Sequence, residues 1–331
     1  MVILSPSWAG PSVFPHVYEN GLKVLREWGL EIKEYPTTRA QGDPSLDNIK
    51  LRAKDIHDAF TDNEVKAIFT SIGGDDCVRI LPFLDKEIII NNPKVIMGYS
   101  DTTILLNYFN TLGLVTFNGP TIMAGFSQMD ALPESFKQHV YDVLFNPSNN
   151  YEYPAYGTYC DGYADWSSKE NIGKTSMLKT DEGLRVVRGS GIIEGVLYGG
   201  CIEVMEFVKG TKFYPPQDFW NNKILFFETS EEKPSMDSIK WMLRNYGVQG
   251  IFEKVNGIIF GRARDYTDEE KIELDNTIKE VICVEFNCKE LPIITNFEFG
   301  HTDPQVVMPN GVVMEINLDT KKIVLPEPCV K

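Results

Sequence analysis

The fold is decided by the stretch Val95-Ile96-Met97-Gly98-Tyr99-Ser100-Asp101, where one structural pattern gives way to another. Its apolar start predicts a β-strand, and Ile104, Leu105 and Tyr108 follow at the spacing of a helix face. A strand that turns directly into a helix is typical of parallel sheets, which bind ligands at the carboxyl ends of their strands. We therefore expect a binding site where this strand ends.

The same alternation continues on both sides of this stretch. Strands are predicted at 2–4, 31–35, 65–72 and 114–117, with helical patterns at 14–28, 46–60 and 76–85 between them. Alternating strands and helices imply right-handed crossovers and a doubly wound parallel sheet. The sequence thus predicts an α/β fold whose N-terminal domain carries a Rossmann-like or flavodoxin-like parallel sheet.

The length of 331 residues favours two domains. Residues 147–183 are rich in Asn, Tyr, Ser, Gly and Lys without a sustained period, which indicates a linker or a functional loop. Two hairpins are predicted near the end of the chain, one of them turning at Pro309-Asn310-Gly311. We predict an N-terminal domain over 1–146, a linker or substrate loop over 147–183, and a smaller β-rich α/β C-terminal domain over 184–331.

The composition excludes several classes of partner. The chain has 32 basic and 47 acidic residues, and its net charge of −15 disfavours binding to nucleic acid or to anionic membranes. No apolar run approaches the roughly 18 residues that a transmembrane helix needs. The first residues lack the basic start of a signal peptide, and the six cysteines are expected to be free and mostly buried thiols. A cytoplasmic protein is expected.

Ser100 stands at the predicted strand-to-helix turn, where a serine hydroxyl projects from the sheet edge. The backbone N–H groups that follow it, at a helix N-terminus, can stabilise an oxyanion. The match to the hydrolase motif G-x-S-x-G is partial, because Thr102 replaces the last glycine. Helix capping by Ser100 or Asp101 is the alternative interpretation of these residues.

Gly73-Gly74 follows the predicted strand 65–72 and so belongs to the same sheet edge. A glycine pair permits a close approach between backbone and ligand, and one of its N–H groups can be a second oxyanion donor. An ordinary turn between strand and helix explains the pair equally well. A dinucleotide-binding loop does not, because the third glycine of that motif is missing.

A serine nucleophile needs a base, and the sequence offers four histidines. His301 is the candidate, because it lies in a loop after an apolar strand pattern, where functional side chains collect. A turn histidine bonded within its own loop is the alternative. His57 and His139 lie on helical patterns and are predicted at the surface or at a boundary.

The base needs an acid that orients it. Glu228 directly follows four apolar residues of a predicted strand, which places a carboxylate at the strand's carboxyl end. Its alternative is a solvated acidic loop, of which Glu231 and Glu232 are interpreted as the clearest members. The chain order Ser, Glu, His is also the order of α/β-hydrolases.

Taken together, these segments resemble the LD-carboxypeptidase family of serine peptidases over nearly the whole chain. The resemblance rests on Ser5-Pro6-Ser7, Gly73-Gly74 with Arg79-Ile80-Leu81-Pro82, Gly98–Thr103, Phe117-Asn118-Gly119-Pro120, Tyr198-Gly199-Gly200, Glu228 and Phe297–His301. It implies an active site between the two domains, with Ser100 as nucleophile. It also implies that His301 and Glu228 complete a catalytic triad. The N–H groups of Gly74 and Asp101 would then form the oxyanion hole.

Within the family, the chain is most similar to the microcin C immunity branch, because Glu228–Ser235 looks like the stretch after that branch's catalytic glutamate. That branch has a loop whose tryptophan stacks on a nucleotide base, and Trp166 is the candidate match. Packing of Trp166 on the surface is its alternative.

Two further residues are candidates for contact with substrate. Arg79 is a candidate partner for a substrate carboxylate, with a helix salt bridge as its alternative. Gly73 is a candidate for backbone contact with substrate. Asp75-Asp76 departs from the family's pattern, at the place where the end group of a substrate would be read.

The sequence therefore predicts a serine carboxypeptidase or amidase that hydrolyses a C-terminal amide in a small peptide or an aminoacyl-nucleotide, as in immunity to microcin C-type toxins. One alternative is a murein tetrapeptide LD-carboxypeptidase of peptidoglycan recycling. The other, in a different class, is a non-catalytic protein that binds a peptide or nucleotide. No cofactor and no metal are expected, and a homodimer is expected.

Overall fold

The computed structural model describes residues 1–40 and 45–330. The β-strands are β1 Val2–Leu4, β2 Lys33–Glu34, β3 Ala67–Thr70, β4 Val95–Gly98, β5 Thr116–Asn118, β6 Tyr151–Glu152, β7 Thr158–Asp161, β8 Leu178–Thr180, β9 Arg185–Arg188, β10 Ile192–Cys201, β11 Lys223–Glu228, β12 Gly257–Gly261, β13 Ile293–Phe297, β14 Thr302–Asp303, β15 Met308–Asn310, β16 Val313–Asn317 and β17 Lys322–Leu325. The α-helices are α1 Gly10–Val13, α2 Pro15–Glu27, α3 Leu46–Thr61, α4 Lys86–Asn91, α5 Thr103–Thr111, α6 Glu134–Phe145, α7 Ile202–Met205, α8 Met236–Val248 and α9 Asp268–Lys279.

The first sheet has the strand order β15-β5-β4-β3-β1-β2. The strands from β1 to β5 are mutually parallel, and β15 pairs antiparallel at the edge. Every residue of β1 and β3 is buried, as is typical of strands in a sheet that is covered on both faces. This arrangement confirms the predicted parallel sheet.

The second sheet has the order β6-β17-β16-β10-β11-β12-β13-β9, with four parallel strands, β10 to β13, at its centre. A third sheet has the order β14-β7-β8, and its strand β14 directly follows His301 in the chain. Phe69 and Met97 of the first sheet share one apolar cluster with Phe226 and Ile259 of the second. The two large sheets therefore share a core, which fixes the carboxyl end of β4 relative to that of β11.

The hairpin predicted at Pro309-Asn310-Gly311 is wrong, although a turn is present. Gly311 has a φ of 87°, but β15 before it pairs with β5 in the first sheet, whereas β16 after it pairs with β10 and β17 in the second. Turn residues predict that the chain changes direction, but packing against the rest of the protein decides which strands pair. β15 comes from the predicted C-terminal domain but pairs in the first sheet, and β6 comes from the predicted linker but pairs in the second. The domain boundaries after residue 146 and before residue 184 therefore stay a prediction.

His139 is buried, and its predicted surface or boundary position is wrong. It lies on α6 with 1% of its surface exposed. Its Nδ1 lies 2.8 Å from the Tyr151 hydroxyl, and its Nε2 accepts a hydrogen bond of 2.9 Å from the Val307 N–H. A polar residue tolerates burial when its polar atoms are paired, and the helical pattern alone does not reveal such partners.

All six cysteines are free, as expected, and four of them are buried. Within the described ranges, no helix is long and apolar enough to cross a bilayer.

Candidate active site

Ser100 lies just beyond the carboxyl end of β4, in a short 3₁₀ turn that leads into α5. Its φ is 60°, a left-handed conformation that residues with a side chain rarely adopt. Neither Ser100 nor Asp101 caps the helix through its side chain, so the capping interpretation is wrong. A strained serine at a strand-to-helix turn is the backbone feature of the nucleophile elbow.

Gly73-Gly74 lies against this turn, beyond the end of β3. A Cβ atom on Gly73 would lie 2.7 Å from Ser100 Oγ and 3.4 Å from the Asp101 nitrogen. Gly74 has a φ of 149°, and a Cβ there would lie 2.1 Å from Ser7 Oγ. Both positions therefore require glycine. Among the described residues, the Gly74 N–H has no hydrogen-bond acceptor, so it is free to bind a ligand.

The Asp101 side chain holds the surroundings of Ser100 in place. It is fully buried and accepts hydrogen bonds of 2.6 Å from Ser7 Oγ and 2.8 Å from the Cys77 N–H. Burial raises the pKa of Asp101, and these two donors oppose that rise. The carboxylate thus connects the loops after β1 and β3 to the serine turn.

Arg79 does not line the cavity beside Ser100. Its Nη1 lies 3.4 Å from Asp76 Oδ2, and Arg52 lies 2.8 Å from the other oxygen of the same carboxylate. This is the helix salt bridge of the alternative interpretation.

His301 and Glu228 meet at the end of β11. His301 Nδ1 lies 2.6 Å from Glu228 Oε2, and both side chains are almost completely buried. Gly300 has a φ of 107°, and a Cβ there would lie 2.9 Å from the same oxygen. Only glycine therefore allows this loop to lie so close to Glu228. Tyr99, from the end of β4, packs against the imidazole at 4.9 Å between ring centroids. This contact brings the histidine to the edge that carries Ser100.

The second ring nitrogen faces a carboxylate that the sequence does not single out. His301 Nε2 lies 3.0 Å from Glu231 Oε2, an ion-pair contact without the alignment of a hydrogen bond. Burial lowers the pKa of His301, but Glu228 and then Glu231 outweigh that effect and raise the pKa to about 10. The His301 contact is the largest influence on Glu231 and lowers its pKa to about 2. Glu231 is exposed, as the solvated-loop interpretation expects, but its carboxylate also contacts the buried His301 ring.

Ser100 and His301 line one cavity of about 470 Å³. Its wall consists of Trp8, Ile72, Gly73, Gly74, Asp75, Tyr99, Ser100, Tyr163, Trp166, Glu231 and His301. Within the described part of the chain, no hydrogen bond joins Ser100 Oγ to His301, and the group nearest to Nε2 is the Glu231 carboxylate at 3.0 Å. The predicted residues Ser100, Gly73, Gly74, Trp166 and His301 thus share one wall, and Glu228 lies behind His301.

Trp166 packs against other aromatic rings and also lines the cavity, and its stacking on a nucleotide base stays a prediction. Its indole stacks on Tyr163 at 4.5 Å and 21°, and its edge meets Phe14 at 5.8 Å, yet it also lines the cavity. The wall also contains Tyr163 and Trp8, which no sequence motif singles out. Trp8 follows the carboxyl end of β1, so the rule that located Ser100 could have found it.

Comparison with known proteins places this site in a family. The sequence pattern of the LD-carboxypeptidase N-terminal domain matches residues 1–119, and that of the LD-carboxypeptidase C-terminal domain matches residues 194–316. The microcin C7 self-immunity protein MccF of Escherichia coli is 28% identical over 312 residues, which are 93% of this chain and 87% of that protein.

Solved structures agree. An MccF-like protein from Streptococcus pneumoniae in complex with AMP superposes with a TM-score of 0.85 at 26% identity, over 98% of this chain and 97% of that one. MccF in complex with aspartyl sulfamoyl adenosine also gives 0.85 at 26% identity, over 100% and 96% of the two chains. The chain therefore belongs to the LD-carboxypeptidase family and is a serine carboxypeptidase of that family's MccF-like kind.

Proposed function

We propose that this carboxypeptidase uses Ser100, His301 and Glu228 as its catalytic triad. The supporting observation is that His301 turns one nitrogen to Glu228 at 2.6 Å and the other toward the cavity that Ser100 lines. In this arrangement Ser100 attacks the amide carbonyl, and His301 accepts the serine proton through Nε2. Glu228 holds the imidazole in place and stabilises its charged form.

The N–H groups of Gly74 and Asp101 receive the oxyanion of the tetrahedral intermediate. The close contact between Gly73 and Ser100 supports this role, since it brings both N–H groups beside the nucleophile. His301 then returns its proton to the leaving nitrogen, and water hydrolyses the acyl-enzyme. The leaving group departs with a free amine or sulfamate nitrogen.

We propose an aminoacyl-nucleotide of the microcin C type as the substrate class. The AMP and aspartyl sulfamoyl adenosine bound by the structural relatives support this choice, as do the aromatic side chains Trp8, Tyr163 and Trp166 in the cavity wall. We also expect action in the cytoplasm, which the six free thiols support. The homodimer stays a prediction, which light scattering of the purified protein would test.

Ser100→Ala tests the triad. It should reduce hydrolysis of an aminoacyl sulfamoyl adenosine by about 10³-fold or more, with an unchanged melting temperature. Arg79→Gln, outside the cavity, is the control and should retain activity within about threefold. Turnover retained by Ser100→Ala would refute the assignment.

The nucleotide preference is tested by assaying murein tetrapeptide in parallel. Trp166→Ala should lose about tenfold in kcat/KM for the nucleotide substrate, the value of one stacked base. Its rate on the tetrapeptide should not change. Equal losses on both substrates would favour the peptidoglycan-recycling alternative.

A further inference from the structure

The charged side chains of the cavity wall carry a net negative charge. Its formally charged lining residues are the carboxylates Asp75 and Glu231, together with His301, and no lysine or arginine lines it within the described ranges. Asp75 is exposed, and the Glu231 side chain keeps 47% of its surface accessible. Because the whole chain carries a net charge of −15, no long-range field compensates for these groups. The wall therefore favours a cation on the substrate and disfavours a carboxylate.

Arg264 is a cation that does not line the cavity but packs against one of its lining residues, Tyr163. Its guanidinium carbon lies 5.3 Å from the centroid of the Tyr163 ring, and its side chain is 16% exposed. It lies behind an aromatic ring that lines the cavity, and its Nε lies 3.2 Å from Asp265. Arg264 thus reduces the negative potential near Glu231 without presenting a positive group to the ligand.

Glu231 also pairs with the histidine nitrogen that the proposed triad needs as its base. Its Oε2 lies 3.0 Å from His301 Nε2, the atom that has to accept the proton of Ser100. As long as this carboxylate and Glu228 flank the ring, the imidazolium form is favoured, and an imidazolium cannot act as a base. Something has to remove Glu231 from Nε2 before Ser100 can be activated.

We propose that Glu231 is a specificity residue that binds an ammonium group on the acyl side of the substrate and, on doing so, leaves His301 Nε2. The preferred substrates are amides of basic or neutral amino acids whose amino group is free. This inference rests on the proposed function, since it assigns a substrate class to the same site. The side-chain carboxylate of an aspartyl compound, which a structural relative binds, would be disfavoured here by Asp75 and Glu231.

Protons balance in this step. In the resting site His301 is an imidazolium that carries a proton on Nε2 and pairs with the Glu231 carboxylate at 3.0 Å. When the carboxylate pairs with the substrate ammonium, the proton of the imidazolium passes to water, and the neutral ring takes the serine proton during attack. The charged and titratable groups around the ring are Glu228, Glu231, Asp303, Tyr99, Tyr163 and Arg264.

The experiment compares alanyl sulfamoyl adenosine with its N-acetyl form in the wild type, Glu231→Gln and Glu232→Gln. Acetylation should lower kcat/KM about 10- to 100-fold in the wild type, the effect of one charge-assisted hydrogen bond. It should lower kcat/KM by less than about threefold in Glu231→Gln. Glu232→Gln removes the same charge from the exposed neighbour and should behave like the wild type. Equal sensitivity to acetylation in Glu231→Gln and the wild type would overturn the proposal.

The pH profile supplies a readout that a structural role would not move. The acid limb of kcat/KM reports the free enzyme, in which Glu231 raises the pKa of His301. Glu231→Gln should therefore shift that limb to lower pH, and Glu232→Gln should not. An unshifted limb in Glu231→Gln would contradict the proposal.

Binding to the Ser100→Ala protein separates this inference from the triad. Calorimetry should give tighter binding of the free amine than of its acetyl form, and the added Glu231→Gln change should abolish the difference. Turnover by Ser100→Ala would refute the triad alone. If Ser100→Ala with an intact Glu231 bound the free amine and its acetyl form equally well, the role of Glu231 alone would be refuted.

Discussion

His139 and His301 are both buried histidines, and each has a group within 3.0 Å of both ring nitrogens. The partners of His139 are a tyrosine hydroxyl and a backbone N–H, which carry no charge. The partners of His301 are two carboxylates. Burial lowers the pKa of His139 to about 3, whereas the carboxylates reverse the effect of burial and raise the pKa of His301 to about 10.

The comparison teaches that burial alone does not make a histidine functional. His139 is held neutral, and its Nε2 accepts a hydrogen bond from the Val307 N–H, which connects α6 to the segment before β15. His301 is held near the charged form at the edge of a cavity, where a proton can be exchanged. The following changes would break or sharpen this contrast.

The largest effect is expected for His301→Gln. The amide can still donate to Glu228, but no base remains for Ser100, so kcat/KM should fall by about 10⁴-fold. Steady-state kinetics on an aminoacyl sulfamoyl adenosine measures this loss. A loss below about tenfold would remove His301 from the proposed role.

Glu228→Gln should make His301 more similar to His139. Without this carboxylate the pKa of His301 should fall, because Glu228 is the main influence that opposes burial. Activity should fall by about 10²- to 10³-fold, less than for loss of the base itself. NMR titration of the imidazole and kinetics check the two parts, and an unchanged pKa would contradict the explanation.

His139→Leu should affect stability and leave catalysis unchanged. The buried Val307 N–H loses its acceptor, which should cost about 1–3 kcal/mol of the free energy of unfolding. Urea unfolding measures this cost, and kcat/KM of the folded protein should stay within about twofold of the wild-type value. A large catalytic defect would mean that the two regions are coupled.

The pH dependence of stability should distinguish the two rings by its sign. The pKa of folded His139 lies below its ordinary value of 6.5, so its contribution is complete above that value and is lost as the pH falls toward 3. Between pH 8 and pH 5 the free energy of unfolding of the wild type relative to that of His139→Leu should therefore fall by about 2 kcal/mol. His301 acts in the opposite sense, since its raised pKa stabilises the fold below pH 6.5 and that contribution is lost as the pH rises through about 10. Urea unfolding of both proteins across this range separates the two signs, because His139→Leu keeps only the contribution of His301.

Much of the site could be predicted from local patterns. Ser100, Gly74 and Glu228 each follow an apolar strand, and carboxyl ends of parallel strands gather at one edge. Glu231 could not be predicted in this way, because it follows Glu228 by three residues in a polar turn that resembles any solvated loop. Only the tertiary structure shows that this turn brings the Glu231 carboxylate to within 3.0 Å of the imidazole of His301.

The sequence by itself determined the parallel first sheet, the strand-to-helix turn at Ser100 and the family of the chain, since these depend on periodicity and on motifs of a few residues. The tertiary structure alone decided that β15 leaves its predicted hairpin for the first sheet and that His139 is buried. It also decided that Glu231 faces His301. These contacts join residues far apart in the chain or across a turn, and their free energies depend on burial and charge that no local pattern records.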